Sequence, residues 1–228
     1  SREIFYRIWS RFILNSYSQG KEDIVIDEIL GNKNRGFYID IGASDPIRFN
    51  NTYRFCKKGW HGINVEPSPK SFVKLAKKRE RDINLQFLVG NIKRKVYFYQ
   101  FDPETLSTMN EKVAKDYQKL GFKMIGKKVV EVKKLSEIFS KYLSKKGIDF
   151  VSVDTEGSDL EVLRSNDWNK YRPKVLCVES AVRKLKKAES IEENKAVAVY
   201  LKKLDYEEYF DNGVNKIFVD KFFAYSKK

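Results

Sequence analysis

Carboxylates recur in this chain where apolar runs end, the places at which a folded sheet leaves side chains facing a ligand. "FYIDIGASDP" carries Asp40 and breaks into Gly42, Ala43 and Asp45, and "HGINVE" ends on Glu66 before Pro67. "NLQFLVGN" closes with Gly90 and Asn91, "IDFVSVDTEG" with Asp154 and Glu156, and "KVLCVES" reaches Glu179. Acids grouped in this way attract a cation, accept hydrogen bonds from paired hydroxyls, or take a proton as general bases. They also repel phosphate.

That repulsion narrows the cofactor. A dinucleotide site is built on G-x-G-x-x-G, so that the backbone and a helix N-terminus meet a pyrophosphate, and a P-loop is built on G-x-x-x-x-G-K-[ST]. Neither pattern is present; Gly42 stands alone, with Asp45 three residues on. S-adenosylmethionine has no phosphate but offers an ammonium, a sulfonium and a ribose diol. Asp40 and Asp45 then suit its positive methionine end, and Glu66 suits the two ribose hydroxyls. A strand-ending Glu serves NAD equally well, so the acid–glycine–acid turn carries the choice.

The elements that must position these residues are legible from Gly36 onward. Short runs rich in β-branched and aromatic residues ("GFYIDI", "HGINVE", "NLQFLVGN", "IDFVSV", "KVLCVES") alternate with helical patterns. Tyr53, Cys56 and Lys57 suit a short helix, and Ser68 before Pro69 is the order of an N-cap and first helical position. Capping boxes are expected at Ser158–Glu161 and Ser190–Glu193. "KVYFYQF" reads as a more exposed strand, "VVEVKKL" leads into a helix through Tyr142, and Asn212–Gly213 marks a terminal hairpin. The expectation is an α/β fold: a mostly parallel, doubly wound sheet with a C-terminal antiparallel hairpin, whose ligand sits beyond the strand ends at the point where strand order reverses.

The 228 residues, 42% hydrophobic and 14% aromatic, are enough for one domain with a full core, here residues 16–228. Residues 1–15 read as an amphipathic helix or appendage. The absence of a start Met and of a signal-peptide layout suggests a piece cut from a larger protein, or a product with a tag removed. No apolar run is long enough to span a membrane. Cys56 and Cys177, without CxxC spacing, suit a reducing, cytoplasmic setting. A single histidine, His61, argues against a His-rich zinc site and a Ser-His-Asp triad, and is read as a surface or loop-packing residue. A net charge of +14, spread in lysine pairs, is read as a solvated surface; contact with a membrane surface or an anionic carrier is the other reading.

With these blocks in place the chain resembles the FkbM-type S-adenosylmethionine-dependent methyltransferases. "SQGKED", "FYIDIGASDP", "NNTYRF", "GWHGINVEP", "DINL" with "VGN", "LSTM", "IDFVSVDTEGSDLEVL" and "NDWNKYRPKVLCVE" follow in unbroken order from Ser16 to Glu179. The resemblance implies a class I Rossmann-like methyltransferase fold with a seven-stranded sheet. It implies O-methylation of a sugar hydroxyl in a glycan or glycoconjugate, a role compatible with one domain of a larger glycan-synthesis protein. Asp154 is then the expected base, with Glu156 as second base or orienter. Asp154 and Glu179 are the pair that would hold a divalent metal (Mg or Mn), if one is used, and Glu179 is counted with the catalytic acids. Gln19 would meet the methionine carboxylate, with Ser18 beside it either in the site or capping a helix. Asn51, Thr52 and Ser107 would close over the cofactor, with Gly42, Ala43, Pro67, Gly90 and Asn91 lining it.

Two rival functions were weighed. A nucleic-acid methyltransferase fits the basic charge, but an adenine N6 enzyme places Asn/Asp-Pro-Pro-Tyr/Phe where this chain has "DTEG", and neither cysteine fits a cytosine C5 enzyme. A non-catalytic Rossmann-like binding module would be expected to lose the acids retained here. No specific nucleic-acid partner is therefore expected. The sequence leaves the sugar and the oligomeric state open.

Overall fold

The apolar run after Gly36 forms β1 (Phe37–Ile41), the middle of the main sheet. The computed structural model describes residues 16–92, 94–143, 147–155, 157–179 and 187–225. The appendage expected over residues 1–15 lies outside them.

Two parallel neighbours flank β1: β2 (His61–Val65), with Ile39 opposite Ile63, and β7 (Phe150–Val153), with Ile39 opposite Val151. Beyond β2 lies β3 (Ile83–Leu85); beyond β7 lie β8 (Val175–Glu179), β10 (Asn215–Asp220) and β9 (Tyr206–Asp211). The order is β3-β2-β1-β7-β8-β10-β9. Only the terminal hairpin runs antiparallel, with β10 pairing both β8 and β9. Strand order reverses between β1 and β7. This is the class I Rossmann-like methyltransferase arrangement.

Alternation along β1 divides the core. Tyr38 packs on one face with Phe55, Trp60, Phe150, Cys177 and Ile217, under α1 (Glu22–Ile29) and α2 (Tyr53–Lys57). Ile39 and Ile41 point the other way, into Ile63, Val151, Phe139, Leu163 and Leu201. That face is covered by α5 (Leu135–Tyr142), α6 (Asp159–Arg164) and α7 (Lys187–Lys202). A strand buried on both faces needs apolar residues on both, and β1 has them.

The run read as one strand through Asn91 divides in two. After β3 the chain leaves the main sheet, and β4 (Leu88–Val89) joins a second, three-stranded sheet of order β4-β6-β5. The long hairpin-like pair β5 (Arg94–Asp102) and β6 (Lys123–Lys133) makes up the rest, and α4 (Glu111–Lys119) packs on it through Tyr99, Phe101, Val113 and Tyr117. The alternation in "KVYFYQF" predicted a strand; that it starts a separate sheet was not anticipated.

Helix starts follow the expectations in part. Ser68 is the N-cap of α3 (Pro69–Lys78), with Pro69 at its first turn. Ser158 occupies the N-cap of α6 without a side-chain cap bond; Asp159 reaches back instead to the Thr155 N–H and hydroxyl, both at 2.9 Å. At Ser190 the capping-box expectation fails because α7 already begins at Lys187. The last described element is α8 (Lys221–Tyr225). Among the described residues no helix is long and apolar enough to cross a membrane.

Candidate functional site

A cavity of about 500 Å³ opens at the carboxyl ends of β1, β2, β7 and β8, across the point where strand order reverses. Clefts of this size at this place take small ligands. Its floor depends on one glycine. Gly42 has φ +82°, and a Cβ there would lie 1.9 Å from the Asp154 carbonyl oxygen. The Asp154 N–H donates to the Ile41 carbonyl at 3.0 Å, so the ends of β1 and β7 are drawn together and only glycine fits between them.

Glu66 ends β2 and lines the cavity. One of its oxygens accepts the Ser44 N–H at 2.8 Å, the other the Ser68 N–H at 2.7 Å. Burial pushes its carboxyl up to about 7; the two N–H groups work against this, and the charges of Glu104 and Asp40 add to it. Each oxygen keeps a further acceptor position. Among the described residues no basic side chain pairs with it.

Asp40 lies beneath the floor rather than in the cavity. It accepts from the Thr52 hydroxyl at 2.8 Å and from the Asn50 amide at 3.1 Å. Burial raises it to about 6, opposed by the Thr52 bond, the Arg79 charge and the Asn50 bond, and reinforced by the charge of Asp154. Arg79, only 1% exposed, donates to the Pro46 carbonyl, the Tyr38 hydroxyl and the Asn50 side chain at 3.0, 2.8 and 2.8 Å. A buried guanidinium cannot shed its proton, so it must be met by acceptors. Here they pin the loop from Ser44 to Thr52 from inside. Asp45, in that loop, lines the cavity while accepting the Ile47 and Arg48 N–H groups at 2.9 and 2.8 Å. Partial burial works to raise its carboxyl; those N–H groups and the Arg48 charge outweigh it and hold it low.

An apolar part of the lining comes from the second sheet and the segments beside it: Phe87, Leu88, Val89, Phe98 and Met109. Glu104 also lines the cavity and accepts from the Ser71 hydroxyl at 2.5 Å. Asp154, Thr155 and Glu179 line the side under β7 and β8, with Gln19 and Val214 contributed by the segment before α1 and by the hairpin turn. Altogether five acids and one base, Arg48, line the cavity among the described residues, in a chain whose net charge is +14.

Of the residues singled out from sequence, the cavity gathers Gln19, Gly42, Asp45, Glu66, Pro67, Ser107, Asp154 and Glu179. Several others do not line it. Ser18 donates to Asp23 at 2.9 Å, and Thr52 serves Asp40. Asn51 donates to the Ser152 hydroxyl at 3.1 Å, below the floor. Ala43 is buried against β2 with its N–H on the Val65 carbonyl. Gly90 and Asn91 left the main sheet with β4, and Phe87–Val89 occupy the wall instead. Glu156 lies outside the described residues. His61 sits exposed at the start of β2, the opposite end of the sheet. Sequence reading missed Ser44, Arg48, Phe49, Glu104 and the second-sheet wall. The left-handed backbone at Ser44 and Phe49 leaves no mark in residue types other than glycine or asparagine.

Among the described residues no group of three or more His, Cys, Asp or Glu side chains is arranged to hold a metal.

Residues 40–208 match the sequence model of the methyltransferase FkbM domain. A search of curated proteins finds no match. Among solved structures, a protein from Staphylococcus aureus assigned as a caffeoyl-CoA O-methyltransferase superposes with a TM-score of 0.52 at 10% identity, over 96% of this chain and 92% of that one. The O-methyltransferase from Bacillus cereus in complex with SAH gives 0.47 at 9% identity, over 96% and 89%. The fibrillarin pre-rRNA processing protein of Methanococcus jannaschii gives 0.47 at 12%, over 90% and 75%. The first of these likenesses speaks to the fold alone, while the family match spans more than half of the chain. The chain belongs to the FkbM family of S-adenosylmethionine-dependent methyltransferases.

Proposed function

We propose that this enzyme O-methylates a hydroxyl of a sugar in a glycan or glycoconjugate, with residues 16–228 acting as one catalytic unit in the cytoplasm. The observation that carries the reading is the acidic cavity in a basic protein. Two of its acids, Asp154 and Glu179, end adjacent parallel strands, where a neutral, hydroxyl-rich acceptor has acceptors to bind and a base to use.

When bound, S-adenosylmethionine supplies an electrophilic methyl group on a sulfonium. The chain's own residues divide the remaining work. Glu66 receives the ribose diol on its two open acceptor positions, and Gly42 lets the backbone approach the ligand. Asp45, with the field of Asp40 beneath, faces the positive methionine end, and Gln19 its carboxylate. Phe87, Leu88, Val89 and Phe98 receive the adenine. An alcohol with a pKa near that of water, ~15.7, needs help to attack. Asp154 takes that proton, and Glu179 orients the hydroxyl by accepting from a neighbouring one. Alignment of the hydroxyl oxygen with the methyl group and sulfur accounts for much of the rate. No step is assigned to a metal. The basic surface outside the cavity suits a glycan on an anionic carrier.

The test is transfer of labelled methyl groups to a panel of methyl pyranosides, beside a transfer RNA control. Methylated sugar, lost in Asp154→Asn, supports the reading. Label that goes to RNA and not to sugar contradicts it.

A further inference from the structure

Phe49 has no place in the core. The residue lines the cavity yet is 58% exposed, and its backbone is left-handed at φ +53°. For an L-residue this conformation costs about 1–2 kcal/mol, and glycine would escape the cost. Its neighbour Asn50 holds the position. The Asn50 amide donates to Asp40, to the Ala43 carbonyl and to the Asp45 carbonyl at 3.1, 3.2 and 3.1 Å. The Asn50 N–H donates to the Tyr17 carbonyl at 3.0 Å, tying the loop to the segment that carries Gln19. A bulky ring is thus kept at a strained position, on a rigid loop, facing a cavity rather than a core. Such strain points to function.

We propose that Phe49 is the acceptor platform, its ring face receiving the C–H face of the pyranose while Asp154 and Glu179 take its hydroxyls. This rests on the sugar reading given above and adds the specificity to it. The π face of an aromatic ring is negative, and the C–H bonds on one side of a pyranose present a slightly positive apolar face to it. The class selected is a pyranoside with an unbroken C–H face; an axial hydroxyl on that face would be desolvated against the ring without a partner. The other aromatic rings of the cavity, Phe87 and Phe98, belong to the second-sheet wall and are left to the adenine.

The experiment compares wild type with Phe49→Gly, Phe49→Ala and Phe49→Trp, using methyl pyranosides as probes. It reads initial rates, S-adenosylmethionine affinity and melting temperature. Phe49→Gly is expected to raise KM for the best pyranoside by about tenfold, the worth of an apolar contact of this size. Its S-adenosylmethionine affinity should stay within about twofold, since no cofactor contact is removed. It should melt no lower than wild type and about 2–4 °C above Phe49→Ala, which keeps the left-handed penalty. Phe49→Trp should retain a low KM. Pyranoside turnover by wild type with an unchanged KM in Phe49→Gly overturns the platform and leaves the sugar reading intact. Wild type that turns over no pyranoside overturns both. A fall in melting temperature and in cofactor affinity together, in Phe49→Gly, would mark a structural role and overturn the platform.

Discussion

Buried acids stand at both ends of the main sheet, and the chain treats them differently. At the amino end Asp149 accepts from Lys33 at 2.5 Å, from Lys174 at 2.8 Å and from the Phe37 N–H at 2.9 Å. Its burial would raise the carboxyl, but the Lys174 and Lys33 bonds and that N–H together hold it low. At the carboxyl end Glu66 and Asp40 are as little exposed to solvent but lie deeper in the protein, and burial prevails, raising them to about 7 and about 6. The first acid has its cations within the fold. The second pair is only partly offset by Arg79, and under the function proposed above the cationic ligand completes it. The contrast teaches which acids serve stability and which serve binding.

Substitutions sharpen the contrast, beginning with the largest effect. Asp154→Asn should lower kcat by about 10²–10⁴-fold, the range of a general base, with cofactor affinity nearly unchanged. Single-turnover kinetics would check this. Glu66→Ala removes two charge-assisted acceptors and should weaken S-adenosylmethionine binding by about 3 kcal/mol, roughly a hundredfold. At the other end, Asp149→Asn should cost about 1–2 kcal/mol of stability, the lysines being partly solvated, and leave cofactor affinity alone; urea unfolding reads this. Equal loss of binding from the two carboxylate substitutions would break the comparison.

The pH dependence separates the ends further. Asp149 is held low, so its stabilisation is present above the ordinary carboxylate value of about 4 and is lost as pH falls through its lower folded value. Glu66 and Asp40 are raised, so their contribution to the ligand-free fold is full below about 4 and is lost as pH rises through about 6 to 7. Ligand-free protein should therefore lose stability on this account between about pH 4 and pH 7, by an amount that S-adenosylmethionine restores. Thermal melts with and without cofactor across that range would show it.

The parts of the site readable from sequence are those where one residue type is forced. Gly42 is forced by the Asp154 carbonyl, and Glu66 by its place at the end of a strand that the apolar pattern marks clearly. Asp154 and Glu179 follow from their strands in the same way. Asp40 belongs to the same run, but strand alternation places its side chain beneath the floor. The second sheet was hidden because apolar runs do not say which sheet they join: Leu85 and Leu88 look alike, yet they belong to different ones. Arg79 was hidden because a charged residue near a helix end reads as solvated, and only the closed fold surrounds it. The resemblance set Asn51 and Thr52 over the cofactor, but the fold uses their polarity to satisfy its own buried groups, and Ser18 takes the capping alternative, exchanging hydrogen bonds with Asp23 at the start of α1.

The central claim is that the carboxyl-end acids are completed by a cationic ligand, and proton release tests it directly. Burial holds both carboxyls above the ordinary range, Glu66 at about 7 and Asp40 at about 6, so near pH 6.5 they retain protons that an ordinary carboxylate would have lost. Ribose hydroxyls donating to Glu66 and a positive charge above Asp40 both favour the ionised forms, so titration calorimetry of S-adenosylmethionine in buffers of different ionisation enthalpy should report release of protons on binding. That release should fall in Glu66→Gln and stay unchanged in Asp149→Asn. Binding with no proton release, or with the same release in Glu66→Gln, would contradict the account.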